Sequence, residues 1–257
     1  RISVTWIAVL CAATCVLAQT FYVSPAGSNR ADGTSPATPK KDLQAVLNYI
    51  YDHSLDGAEI LVAEGNYLGT MDAGYIEIRN YVKIDGGYDP TFSRYNPRKY
   101  ITRIEPGEAQ RPTNGKKGLI TISGLDDVSG NRKTGKVIIT GFTFNHGYEN
   151  FYMPADPRDP KNGCPSKAFE TGRMLDDPTQ IEHPCIKSEQ AIAGDVLIAN
   201  CSFLNSPYFG IRINSRRGHI EIANNIFVSN RYGAVRVDGW DKKGEATQVD
   251  FHNNVVA

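Results

Sequence analysis

The sequence predicts an all-β fold, a right-handed parallel β-helix in which strand-rich coils stack into a solenoid. Three eight-residue segments align column by column: VLIANCSF (196–203), IEIANNIF (220–227) and VDFHNNVV (249–256). A second unit, GIRINS at 210–215, returns as AVRVDG at 234–239, with the same offset of 24 residues as the first two segments. Because one coil cannot bury its apolar face alone, this repetition indicates stacking, and we expect roughly seven to nine coils.

Alternation within the repeats predicts which side chains point inward. Every second residue is apolar, so we expect four isoleucines in the core: Ile211, Ile213, Ile220 and Ile222. Asn200, Asn224 and Asn253 share one column, where Asn suits a left-handed bend and its amide can bond to stacked neighbours. We interpret this column as a structural ladder, which argues against use of the glycosylation sequon that begins at Asn200.

The first 18 residues are typical of a signal peptide. The chain is apolar from Ile7 to Ala18, and Val16-Leu17-Ala18 fits a cleavage site. The apolar run is too short for a stable membrane span, so we expect no transmembrane segment in the mature chain and a secreted or cell-surface protein. Residues 19–257 form the predicted β-helix domain, and because they stop within a repeat we expect a longer natural protein.

The net charge and the cysteine content indicate which partners, disulfides and metal sites to expect. The formal net charge is +0, which gives no support to a nucleic-acid partner, and we expect a monomer. Three cysteines follow the signal peptide. Cys164 and Cys185 bracket a polar stretch and are predicted to form a disulfide, whereas Cys201 is predicted to be a buried thiol. The sequence contains neither a CxxC nor an HExxH motif, so it gives no indication of a zinc site.

The N-terminal third begins as a strand at 21 and continues as a loop to 39. Residues 42–51 then carry apolar side chains at 43, 46, 47 and 50, which predicts a short helix that covers the open end of the core. Four further segments are predicted to contain strands separated by turns: 57–67, 75–89, 101–106 and 118–123.

This N-terminal block resembles a known family. The matching residues are Tyr22-Val23-Ser24-Pro25, Gly27-Ser28, Asp32-Gly33-Thr34, Pro36, Pro39, Leu43-Gln44-Ala45, Gly57 and Val62 through Tyr67. They resemble the start of secreted right-handed β-helix proteins of the pectate-lyase-like superfamily, specifically the DUF1565 family. Lys40 departs from that pattern, where an aromatic residue is usual. The resemblance implies the fold, but its members include polysaccharide lyases, epimerases and proteins with no known reaction.

The repeat register predicts a charged strip on the outside of the second repeated strand. One outward column should contain Lys187, Arg212 and Arg236, and the column beside it Glu189, Asn214 and Asp238. Two interpretations stay open. The columns form a solvated face with salt bridges between coils, or they bind a linear acidic chain, with crowded cations that lose protons more easily.

The resemblance places the substrate cleft of the lyases on this strand. Removal of the C5 proton of a uronic acid needs a base, and it needs a cation, often Ca²⁺, to stabilise the charge on the carboxylate. The basic residues on this strand are therefore the candidate catalytic residues: Lys187, Arg212 and Arg236. We expect the protein to bind an extracellular acidic polysaccharide and, as a further step, to cleave or epimerise it. The alternative is a non-catalytic, adhesin-type surface protein.

An insertion at 145–195 should project beside the strip. Long insertions of this kind are often functional. Tyr148, Phe151 and Tyr152 are candidates to stack on sugar rings. Three oxygen-bearing side chains have a spacing that suits Ca²⁺, although the run lacks the Gly and Glu positions of an EF-hand: Asp156, Asp159 and Asn162. His146 and His183 are interpreted as structural.

Overall fold

The computed structural model describes residues 18–69, 75–105, 117–125, 135–146, 184–206, 208–230, 232–239 and 246–257. Its first elements are β1 (Thr20–Val23), α1 (Leu43–Asp52), β2 (Glu59–Ala63), β3 (Gly65–Tyr67), β4 (Ile76–Ile78), β5 (Lys83–Tyr88), β6 (Thr102–Ile104), β7 (Ile120–Ile122), β8 (Lys136–Thr140) and β9 (Phe142–Asn145). They are followed by β10 (Ile186–Ser188), β11 (Asp195–Ala199), β12 (Ser202–Leu204), β13 (Phe209–Ser215), β14 (Gly218–Ala223), β15 (Ile226–Val228), β16 (Gly233–Gly239), β17 (Thr247–His252) and β18 (Val255–Val256).

The strands form three parallel sheets. Sheet A has seven strands in the order β1-β2-β5-β8-β11-β14-β17, sheet B has six in the order β18-β15-β12-β9-β6-β3, and sheet C has five in the order β16-β13-β10-β7-β4. From β2 onward the chain visits sheets A, B and C in turn, so each strand pairs with the one three places later. This arrangement is compatible with a parallel β-helix, and the described strands make seven passes through sheet A.

The pairing register agrees with the sequence repeats. Val196 pairs with Ile220, and Ile220 pairs with Val249, which are the offsets of 24 and 29 residues read from the sequence. Val137 pairs with Val196, so the segment VIITGFTF at 137–144 is a further copy of this repeat, one pass earlier. Because side chains alternate along a strand, this register also decides which residues face the core.

The core is one cluster of aliphatic and aromatic side chains enclosed by the three sheets. The four predicted core isoleucines are fully buried: Ile211, Ile213, Ile220 and Ile222. Phe144, Phe203 and Phe227 stack from pass to pass, with ring centroids 5.0 and 4.8 Å apart. Burial of these rings, together with the aliphatic side chains around them, stabilises the passes.

The bends between sheets A and B partly correct the predicted Asn ladder. Asn200, Asn224 and Asn253 do adopt left-handed backbone, with φ of 55°, 58° and 55°. Asn200 and Asn224 are nevertheless exposed. The hydrogen-bonded ladder is formed by the next column, in which Asn225 accepts from the Cys201 N–H and Asn254 accepts from the Asn225 N–H, both at 2.9 Å. The predicted ladder was therefore wrong by one residue, although its bend geometry is confirmed.

The predicted helix is confirmed as α1, which buries Leu43, Val46, Leu47 and Ile50 against the core. Gln44 contacts β4, the edge strand of sheet C. Its side-chain oxygen accepts from the Glu77 N–H at 2.7 Å, and its side-chain nitrogen donates to the Glu77 carbonyl at 3.2 Å. This amide occupies the place that another strand would take at that edge.

Several predictions concern residues that the structure does not describe, including the signal peptide through residue 17 and most of the insertion at 145–195. Within the described ranges, no helix combines the length and apolarity required to span a membrane.

Candidate binding face on sheet C

Sheet C brings the two predicted polar columns onto its outer face. Lys187 pairs with Arg212, and Arg212 pairs with Arg236, so the three predicted cations are neighbours on successive strands. In the other direction the same column continues through Thr121 to Glu77. Successive side chains of a strand point to opposite faces, and the neighbours of these residues on β13 and β16, which are isoleucines and valines, pack in or against the core.

The arginines of this column are joined by one carboxylate. Asp238 accepts a hydrogen bond from Nε of Arg236 at 2.8 Å and one from Nε of Arg212 at 3.4 Å. The hydrogen bond that Arg236 donates to Asp238 raises the pKa of Arg236. The expectation that crowded cations lose their protons more easily is therefore wrong for Arg236, because its neighbour stabilises the charged form.

Lys187 does not share the exposure expected of a surface column, since only 8% of it is accessible. Thr121, its neighbour on β7, is fully buried, and the N–H of Gly118 donates to the Thr121 hydroxyl at 3.1 Å. Residues 118–121 therefore fold back on themselves beside Lys187. Of the three predicted cations, Arg236 and, to a smaller extent, Arg212 are accessible, with side chains 44% and 17% exposed.

Glu189 lies just beyond β10 and is bound by Lys117 rather than by an arginine. Burial is the largest single influence on Lys117 and lowers its pKa, but the hydrogen bond and the charge of Glu189, together with Tyr75 and Glu77, outweigh burial, so the pKa of Lys117 is raised. The ammonium also lies 5.0 Å from the centre of the Tyr75 ring. Glu189 is thus part of a separate ion pair, whereas Asn214 and Asp238 pair in register as predicted.

Aromatic residues that the sequence reasoning missed flank the arginines. The Arg212 guanidinium lies 5.8 Å from the centre of the Tyr208 ring, and Arg236 donates to the Tyr208 hydroxyl at 3.4 Å. Tyr208 contacts Tyr232 edge to face, at 5.2 Å between ring centroids. The two tyrosines are 24 residues apart, so the repeat offset already carried the signal that they stack.

The remaining predicted residues give no contact or distance on this face, because they are either outside the described residues or buried. Six of them lie outside the described residues: Tyr148, Phe151, Tyr152, Asp156, Asp159 and Asn162. Cys185 is a free thiol, fully buried in the core, and so does not support the predicted bridge to Cys164, which is also outside the described residues. His146 and Cys201 are buried, and Cys201 is a free thiol as predicted.

The described part of the chain contains no group of three or more His, Cys, Asp or Glu side chains arranged to hold a metal ion. Comparison with protein-family models, with curated proteins and with solved structures finds no match to this chain. The face is therefore interpreted from its own chemistry. Two guanidinium groups, one carboxylate and adjacent tyrosines provide charge-assisted donors beside aromatic rings, a combination suited to carboxylate-bearing sugars.

Proposed function

We propose that this protein binds an extracellular acidic polysaccharide along the outer face of sheet C. The Arg212–Asp238–Arg236 set beside Tyr208 carries the proposal. Two guanidinium groups and one carboxylate have a net charge of +1, and each guanidinium has five N–H donors, more than one carboxylate can accept. A uronate carboxylate would bind the outer edge of Arg236, while Tyr232 would pack against the sugar ring.

The architecture that we propose for this function is a right-handed parallel β-helix with α1 as its N-terminal cap. The rotation of the chain through sheets A, B and C and the Gln44–Glu77 hydrogen bonds support it. The same proposal includes export by an N-terminal signal peptide, a monomeric state, and membership of the pectate-lyase-like superfamily, close to DUF1565. They rest on the sequence features alone.

Binding is the part of the function that the geometry favours over cleavage. A base must be accessible and able to give up its proton, whereas Lys187 is buried and the pKa of Arg236 is raised. A lyase or epimerase reaction, with Ca²⁺ as the cation that stabilises the substrate carboxylate, would need a base other than Arg236. The catalytic roles of Lys187 and Arg212 stay proposals.

The test compares Arg236→Ala with Arg30→Ala, a control at an exposed arginine in the N-terminal loop. Calorimetric titration with polygalacturonate and alginate oligomers should show binding that Arg236→Ala weakens by about 1–3 kcal/mol. Higher salt should weaken wild-type binding, and neutral dextran should not bind this face. The proposal is abandoned if wild-type protein binds neither acidic polymer at low salt.

A non-catalytic surface protein remains the second candidate, and the position of Asp238 favours it. A carboxylate between two arginines on neighbouring strands also explains the face as a set of salt bridges that holds the passes in register. In that case Arg236→Ala would change thermal stability slightly and no acidic glycan would bind.

A further inference from the structure

We draw no further inference here: the strongest candidate, the apolar edge formed by β17 and β18, where Val249, Phe251, Val255 and Val256 are between 44% and 60% exposed, carries none because nothing in the part of the chain that the structure describes shows what covers it.

Discussion

The side-chain oxygen of Asn225 accepts a hydrogen bond of 2.9 Å from the backbone N–H of Cys201, one pass earlier in the chain. The same side chain donates to the Ile198 carbonyl at 2.9 Å and is 1% exposed. A single buried amide therefore bonds to two backbone groups, one in the bend between sheets A and B and one near the end of β11.

Asn225→Ala should lower the free energy of unfolding by about 2–4 kcal/mol, because it leaves a buried N–H and a buried carbonyl without partners. The neighbouring Asn224→Gly is the control. Asn224 is exposed and left-handed, with φ of 58°, and Gly accepts that backbone without strain. Urea unfolding measures both, and equal losses would contradict the assignment of the ladder to the Asn225 column.

The phenylalanine stack predicts a graded response to truncation. Phe203 is fully buried between Phe144 and Phe227, so Phe203→Ala should cost about 3–5 kcal/mol of stability. Phe251→Ala should cost much less, because Phe251 is 48% exposed. Denaturant unfolding followed by circular dichroism compares them, and a larger loss for Phe251→Ala would be inconsistent with the stack.

Asp238→Asn tests the role of the shared carboxylate on sheet C. Removal of its charge frees Arg212 and Arg236 from competition, so we expect roughly threefold to tenfold tighter binding of polygalacturonate oligomers at low salt. Thermal stability should fall slightly, because two surface hydrogen bonds weaken. Calorimetric titration gives the affinity, and weaker binding by this variant would argue against the proposed site.

The two described cysteines should be unreactive in the native protein. Burial raises the pKa of the Cys201 thiol to about 12 and also raises that of Cys185, so neither forms the reactive thiolate near neutral pH. Iodoacetamide at pH 8 should label them only after unfolding in guanidinium. Mass spectrometry of native and unfolded samples checks this, and a Cys164–Cys185 peptide in a non-reducing digest would show that the sequence-based pairing was right.

His219 should control the acid titration of Asp250. Nε2 of His219 lies 2.8 Å from the carboxylate, and this hydrogen bond lowers the pKa of Asp250 below 3.8. A lowered carboxyl pKa contributes stability above the unfolded value, and that contribution is lost as pH falls through the folded value, hence below about pH 4. In His219→Leu the pKa of Asp250 should rise towards 3.8. Carbon-13 NMR titration measures it, and the distant His53→Leu should leave it unchanged.

The register of the last three passes followed from the sequence because the repeats align without gaps within each strand. Side chains alternate with a period of two, so an error of one residue would have exposed the whole isoleucine set. The same logic placed Lys187, Arg212 and Arg236 side by side. It failed at the bends, where the alternation stops: Asn occupies the Asn224 column in all three copies, whereas Cys201 stands in the Asn225 column of the first copy, so the repeats indicated the wrong column.

The environment of each outward side chain could not be read from the repeats. Lys117 binds Glu189 although 72 residues separate them, and Lys187 is buried rather than exposed. The contact of Lys117 depends on residues 117–119, just before β7, and these have no counterpart in the repeat. The pairing of Tyr95 with Tyr88 was hidden as well, because it depends on the turn organised by Asp89.

Local periodicity and the burial of one face are enough to predict the parallel strand-rich fold, the pairing of its repeated strands and the helix before the second pass. Only the tertiary structure decided which Asn column carries the hydrogen bonds, which carboxylate neutralises the arginines, and where aromatic rings gather on sheets A and C. Those features depend on contacts between residues far apart in the chain, made by side chains whose direction is set by loops rather than by the repeat.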